Sequence, residues 1–141
     1  MQLHLRPDVF VLHQELPAVE LIATVVGGRY VRTHVDLEIE PWLRSLGCPL
    51  ALLITMDRSW LLRATHEGSE TIGEWPTVDL FDLDEPIRSQ HKTIVQLHEW
   101  LETLANGRPD WRARGSARED IARHVLPAVL AGHVYWRRPA T

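Results

Sequence analysis

The chain has 141 residues, a formal net charge of −4 and a single cysteine, Cys48. This length fits one domain that buries roughly 70% of the surface of its unfolded chain. The lone cysteine excludes an intramolecular disulfide and every zinc pattern that needs several cysteines, which favours a reducing, cytoplasmic location. The negative charge argues against a global electrostatic grip on nucleic acid, so any such contact has to be local.

Several functional classes lack their usual signals in this sequence. No run of about 18 apolar residues could span a bilayer, and the first residues lack the basic-then-apolar order of a signal peptide. We therefore expect a soluble protein with no membrane partner. The eight histidines form no H-x-x-x-H pair, and neither a phosphate-binding glycine loop nor a serine elbow is present.

The first half of the chain favours strands. Apolar runs predict strands at residues 8–13 and 18–26, and the pair of glycines that follows predicts a hairpin into a third strand at residues 29–35. Pro41 then suits the first turn of a short helix that ends at Gly47. Two further strands are expected at residues 50–56 and 60–63, joined by a tight turn.

The second half favours helices. Residues 66–76 form a polar connection, and residues 77–81 are expected as a last short strand. Apolar residues at helical spacing predict a helix over 85–105, capped by Asp84. After a basic connection, a capping box of Ser116 and Glu119 begins a helix over 117–131, which Pro127 should kink.

These elements predict one α/β (α+β) domain covering residues 1–141. Its sheet-rich core occupies residues 1–83 and its helical part occupies residues 84–141. The expected architecture is a mixed sheet with a short crossover helix and two C-terminal helices packed on it.

Asp8 is the first residue of the first predicted strand, and Glu20 is the third residue of the second. If the strands pair, the register decides whether these side chains meet. Two converging carboxylates would suit Mg²⁺ or Mn²⁺, which lowers the pKa of bound water and stabilises charge at phosphorus. The alternative is that both are ordinary strand carboxylates.

With Pro7-Asp8 and Glu20-Leu21-Ile22, the sequence resembles the PD-(D/E)XK (restriction-endonuclease-like) superfamily. The short helix, its glycine and the stretch LALLITMDRSWLLR are similar to the N-terminal nuclease domain of type I restriction subunits. The resemblance covers residues 6–63 and implies a core of a helix, three strands, a helix and a strand. It implies Asp8, Glu20 and Glu38 as catalytic residues, with Asp8 and Glu20 as metal ligands.

The sequence differs from the family's pattern at the position of the lysine. Ile22 stands where the family has lysine, and the only lysine of the chain is Lys92, in the predicted C-terminal helix. Loss of one preorganised donor of this kind costs on the order of 10²–10³ in rate. Arg32 or Lys92 is a candidate substitute. Asp36 and Glu38 are candidate further ligands, although acids also gather at a helix N-terminus for its dipole.

A local Arg and Trp surface is the second candidate site. The connection before the last helix interleaves basic residues with an aromatic, a pattern that suits a phosphate backbone with a base stacked on the ring. The C-terminal VYWRRP has the Trp and Arg content of interface anchors, and docks either on its own core or on a partner. The predicted binding residues are Arg108, Trp111, Arg112, Arg114, Trp136 and Arg137.

From these observations we expect a degenerate restriction-endonuclease-like domain that acts as a nucleic-acid-binding or protein-assembly module. The alternatives are an active Mg²⁺-dependent nuclease that hydrolyses phosphodiesters, and a small homo-oligomeric scaffold unrelated to nucleases. No cofactor is expected unless the chain is active, in which case Mg²⁺ or Mn²⁺ is expected. The expected partners are DNA or RNA through the Arg and Trp surface, another protein, or further copies of the chain.

Overall fold

A computed structural model describes residues 8–13, 15, 18–26 and 39–136. Within them, six strands form one mixed sheet in the order β5-β4-β3-β2-β1-β6. The strands are β1 (Val9–His13), β2 (Val19–Val25), β3 (Leu50–Ile54), β4 (Arg58–Thr65), β5 (Gly68–Pro76) and β6 (Gly132–Trp136). The predicted mixed α/β architecture is therefore confirmed, whereas the third predicted strand, at residues 29–35, lies outside the described residues.

The strand directions follow from how the strands are connected. β1 and β2 are antiparallel, and β2 and β3 are parallel because the short helix α1 (Glu40–Leu46) lies between them in the chain. β3, β4 and β5 form an antiparallel meander. Helix α1 ends as predicted, since Gly47 takes the left-handed conformation (φ 61°) that closes a helix.

The two faces of the sheet are covered unequally. One face carries the larger core, in which the C-terminal helices pack against strand residues such as Val11, Leu52 and Leu61. The other face carries a smaller cluster around Leu43 of α1 and Ile22 of β2. The prediction that the C-terminal helices cover the sheet is therefore confirmed.

Two predicted elements around residue 76 are wrong. The polar connection at 66–76 is instead strand β5, and residues 77–81 form the helix α2 (Thr77–Phe81) rather than a strand. β5 is polar because it is the outer strand of the meander and has exposed side chains. Helix α2 buries Leu80 and Phe81 together with Thr77, a spacing of three and four that a helix can place on one side.

The long helix α3 (Gln90–Ala105) begins later than predicted. Its N-cap is Ser89, whose Oγ accepts a hydrogen bond from the Lys92 N–H, so Asp84 is not the cap. The helix ends as expected, with Asn106 as its C-cap, and one stripe of its side chains faces the core. This stripe comprises Thr93, Leu97, Trp100, Leu101 and Leu104.

The last helical region is built in three parts. They are α4 (Gly115–Asp120), a π-helical turn (Ile121–Val125) and α5 (Leu126–Ala131). The predicted capping box is absent, since the residue before α4 is Arg114 and no side chain caps that end. Pro127 follows the π-helical turn, where a wider turn accommodates the ring and the missing N–H of a proline.

The C-terminal VYW forms part of β6, a strand that the sequence patterns did not predict. β6 pairs antiparallel with β1 over its whole length, with Val134 opposite Val11. This segment therefore docks on its own sheet. Among the described residues, no helix is long and apolar enough to cross a membrane.

Candidate functional site

The register of β1 and β2 separates the two candidate metal ligands. Val9 pairs with Ala23, so Asp8 stands opposite Thr24 at the end of β2. Glu20 lies at the other end, where the register shifts by one residue between Val11 and Leu12. Four residues along a strand span about 13 Å. The register therefore does not bring Asp8 and Glu20 together around one ion.

The Asp8 carboxylate is engaged by the main chain of β2. The Val25 N–H donates to Asp8 Oδ2 at 2.7 Å, and the Asp8 N–H donates to the Ala23 carbonyl at 2.9 Å. Asp8 is 9% exposed. This carboxylate thus ends the pairing of the two strands, as a side chain that closes a ladder does.

Thr24 is the residue across from Asp8, and its hydroxyl is unusual. Thr24 is 2% exposed, and its Oγ1 is the one buried side-chain oxygen or nitrogen of the described residues without a hydrogen-bond partner. Both residues lie at the carboxyl edge of the parallel strands β2 and β3, the edge at which open α/β sheets bind ligands. A carboxylate here would face Asp8, whereas a threonine offers one neutral hydroxyl.

Glu20 instead lies close to the single cysteine. Burial raises the pKa of Cys48 to about 11, and the nearby negative charge of Glu20 also raises it. Backbone hydrogen bonding with Leu50 and Ile22 acts in the opposite direction. The protonated thiol donates from Sγ to the Leu50 carbonyl at 3.2 Å. A thiol that stays protonated is a poor nucleophile, and Cys48 packs in the smaller core.

The remaining predicted ligands cannot be placed. Glu38 and Asp36 lie outside the described residues, as does Arg32. Within the described ranges, no group of three or more His, Cys, Asp or Glu side chains is arranged to hold a metal ion.

Two members of the predicted Arg and Trp surface have partners inside the fold. Trp111 is 8% exposed, and the Arg118 guanidinium lies 4.3 Å from the centre of its ring. Arg114 donates to Asp79 Oδ1 at 3.0 Å and to the Leu83 carbonyl at 2.8 Å. Trp111 is therefore not placed to stack on a base, and Arg114 ties the connection before α4 to helix α2.

Arg108 and Arg112 are the exposed members of that surface. Both line a groove of about 230 Å³ between α3 and the following connection, with Trp100 in its wall. Arg108 lies 3.6 Å from Asp110, and the Arg112 carbonyl accepts a hydrogen bond from Trp100 Nε1 at 2.6 Å. Acidic Glu99 and Asp110 share the groove, so its charge is mixed.

Trp136 packs on the long helix rather than standing free. Its ring lies 4.3 Å from that of His98 in an edge-to-face arrangement, and His98 Nε2 lies 3.3 Å from Glu102. On the opposite side of β6, Tyr135 is 51% exposed and makes an edge-to-face contact with His133. Arg137 lies outside the described residues.

The outer strand β6 is a feature that the sequence patterns missed. In the structure its side chains alternate between half-buried and exposed, but the sequence GHVYW shows no matching alternation of apolar and polar residues. β6 bonds to β1 on one side, and no described strand pairs with its other side. An unpaired strand edge offers N–H and C=O groups to a further strand.

Comparison of the chain with protein-family models, with curated proteins and with solved structures finds no match. The role of the chain is therefore inferred from its own residues.

Proposed function

We propose that this chain is a non-catalytic assembly module built on a degenerate restriction-endonuclease-like sheet. The observation that carries the proposal is the pair formed by Asp8 and Thr24. Asp8 begins β1 as the resemblance implies, but its carboxylate accepts the Val25 N–H, and a buried threonine stands across from it. A site of this kind offers one engaged carboxylate, where metal-dependent hydrolysis needs a converging set of oxygen ligands.

The described topology is compatible with that ancestry. Two antiparallel strands, a short helix and a strand parallel to the second follow one another. The family's core has a third strand before that helix, and the strand predicted there, at residues 29–35, lies outside the described residues. Ile22, in the position of the family's lysine, is 1% exposed and packs in the smaller core. An apolar, buried residue there supports a structural role for the strand.

Assembly is favoured over nucleic-acid binding by the location of the aromatic residues. Trp111 is covered by Arg118, whereas Tyr135 is exposed on an outer strand. A strand edge recognises another strand through its main chain, and exposed side chains supply specificity. The buried thiol of Cys48 fits a reducing compartment, so the proposal includes a cytoplasmic location.

A thermal unfolding series with Mn²⁺ tests the non-catalytic part. An ion that binds only the folded state raises the unfolding midpoint. We expect the midpoint of the wild-type protein and of Asp8→Asn to be independent of Mn²⁺, with no cleavage of DNA or RNA. A rise that is lost in Asp8→Asn, together with cleavage, would identify an active nuclease instead.

Nucleic-acid binding is the second candidate, favoured by the exposure of Arg108 and Arg112 beside one groove. It predicts binding of single-stranded oligonucleotides that weakens with added salt and is lost in the Arg108→Ala, Arg112→Ala double variant. The assembly module predicts no such binding. The matched control is Arg58→Ala, Arg63→Ala, which removes two exposed arginines from β4.

A further inference from the structure

Within its described residues, Gly132–Trp136, β6 has no charged side chain, proline or bulge that would keep its outer edge single. Proteins blunt such edges with charged side chains, proline or a bulge. β6 is GHVYW, and its pairing with β1 runs from Gly132 to Trp136 without a shift of register. Its exposed side chains are His133 and Tyr135, and the strand has no acidic residue, lysine or arginine.

The sequence of β6 is complementary to itself in an antiparallel pair. If two copies meet with Val134 opposite Val134, His133 of each faces Tyr135 of the other. The same register sets Gly132 opposite Trp136. Aromatic residues across a strand pair stabilise it, so the contacts of His133 with Tyr135 favour this register.

We propose that a second copy of this chain binds the outer edge of β6, antiparallel, with Val134 on the two-fold axis. The proposal rests on the assembly role proposed above and names the partner. The two six-stranded sheets would then continue as one sheet across the dimer, as strand addition at a free edge produces.

The charges at the two ends of the sheet agree with this choice of edge. β6 is formally neutral when its histidine is neutral, so two copies meet without like charges opposite each other. β5, the other outer strand, carries Glu70 and Glu74, and two β5 strands would bring four carboxylates together. Like charges across a strand pair are destabilising.

The surface area buried between the two copies limits the affinity of the dimer. A five-residue strand pair buries less than the roughly 800 Å² per partner of a standard interface. Leu130, 48% exposed, lies two residues before β6. We therefore expect a dimer that dissociates on dilution.

Sedimentation equilibrium over a wide range of protein concentration tests this partner. The wild-type protein should change from monomer to dimer, and Tyr135→Lys should weaken association on the order of tenfold or more, because edge lysines oppose pairing. Val95→Lys is the matched control, because Val95 is 43% exposed and lies on α3. It should associate like the wild type.

A pair of double variants tests the register. His133→Lys with Tyr135→Lys places like charges across the two-fold axis and should abolish the dimer. His133→Glu with Tyr135→Lys places opposite charges across it and should restore association, in a manner that salt weakens. Both variants change exposed positions, and circular dichroism checks that they fold.

Each outcome decides the proposal. A wild-type protein that stays monomeric at every concentration overturns it, while leaving the metal-independent, non-catalytic role intact. A dimer that Tyr135→Lys and the like-charged double variant leave unchanged also overturns it, since association would then use another surface. A dimer lost in those variants, kept in Val95→Lys and restored by opposite charges establishes β6 as the interface.

Discussion

The two outer strands of the sheet, β5 and β6, end it in different ways. β5 has an irregular register between Thr71 and Gly73, carries two acidic side chains paired with arginines of β4, and ends at Pro76. Trp75 near its end donates from Nε1 to Asp120 Oδ2 of α4 at 2.8 Å. β6 has a regular register and exposes an aromatic pair. Among the described residues, β5 is closed by contacts with its own chain, whereas no strand pairs with the outer side of β6.

The closed edge should depend most strongly on Trp75. This side chain is fully buried between β5 and the helices, and Trp75→Ala should lower the free energy of unfolding by about 3–5 kcal/mol. Denaturant unfolding measures the change, with Val95→Ala as the exposed control within about 0.5 kcal/mol of the wild type. A loss below about 1 kcal/mol for Trp75→Ala would show that β5 is not held by its helix contact.

A second comparison uses two buried threonines, one beside the closed edge. Thr77 follows β5, and its Oγ1 donates to the Thr55 carbonyl at 2.7 Å and lies 2.8 Å from Ser59 Oγ. Thr77→Val should cost about 1–3 kcal/mol because it leaves buried polar partners unpaired.

Thr24 provides the contrast, because its hydroxyl has no partner to lose. Thr24→Val should leave the free energy of unfolding unchanged or raise it by up to about 1 kcal/mol. A clear loss for Thr24→Val would mean that this hydroxyl has a stabilising interaction at the carboxyl edge beside Asp8.

Cys48 is buried just before the central strand β3, so its titration and its reactivity show whether a substitution at an outer strand alters the middle of the sheet. Its pKa is raised to about 11, so the stability linked to the protonated thiol is complete below the ordinary thiol pKa. That stability is lost as pH rises from there towards about 11. The free energy of unfolding of the wild type, relative to that of Cys48→Ala, should therefore fall as the pH rises through this window and should not vary with pH near neutrality.

A thiol reagent gives the corresponding measurement at neutral pH. Cys48 should react slowly in the wild type and in Tyr135→Lys, and faster in Trp75→Ala, which loosens the closed side of the sheet. Equal rates in all three proteins would contradict the view that the two edges support the centre unequally.

The smallest effect on stability is expected where the closed edge is opened. Glu70 and Glu74 make exposed ion pairs with Arg63 and Arg58, so replacing both acids by valine should cost at most about 1 kcal/mol. The double variant should nevertheless associate more strongly than wild type, because the charges that oppose pairing are gone. The matched control replaces Glu99 and Glu119, both on helices, by valine; light scattering compares the two. Equal association of the two double variants would show that Glu70 and Glu74 are not what prevents β5 from pairing with another strand.

The central strands were accessible to sequence reasoning, and the edges were not. Apolar runs identified β2 and β3, most of whose residues are buried on both faces, and also β1 and the middle of β4, which carry buried apolar residues. β5 was missed because an exposed outer strand with two glycines looks like a polar connection. β6 was missed because five residues after a helix carry too little periodicity to separate a strand from a tail.

The candidate site was predictable in its residues but not in its geometry. The sequence singled out Asp8 and Glu20, and only the pairing of β1 with β2 shows that Thr24, not Glu20, faces Asp8. A one-residue register shift has no local signal in the sequence. Trp111 was interpreted as a surface residue for a similar reason, since its burial depends on how the C-terminal helices pack into the larger core.

The most direct test of the open edge is a disulfide placed on its two-fold axis. In the Cys48→Ala background, Val134→Cys should form a covalent dimer on mild oxidation. Residues directly opposite in an antiparallel pair have Cα atoms about 4.5–5.5 Å apart, within the range that a disulfide spans. Val95→Cys in the same background is the exposed control. Rapid cross-linking of Val134→Cys alone is the predicted result; no cross-link, or equal cross-linking of both variants, would contradict assembly through β6.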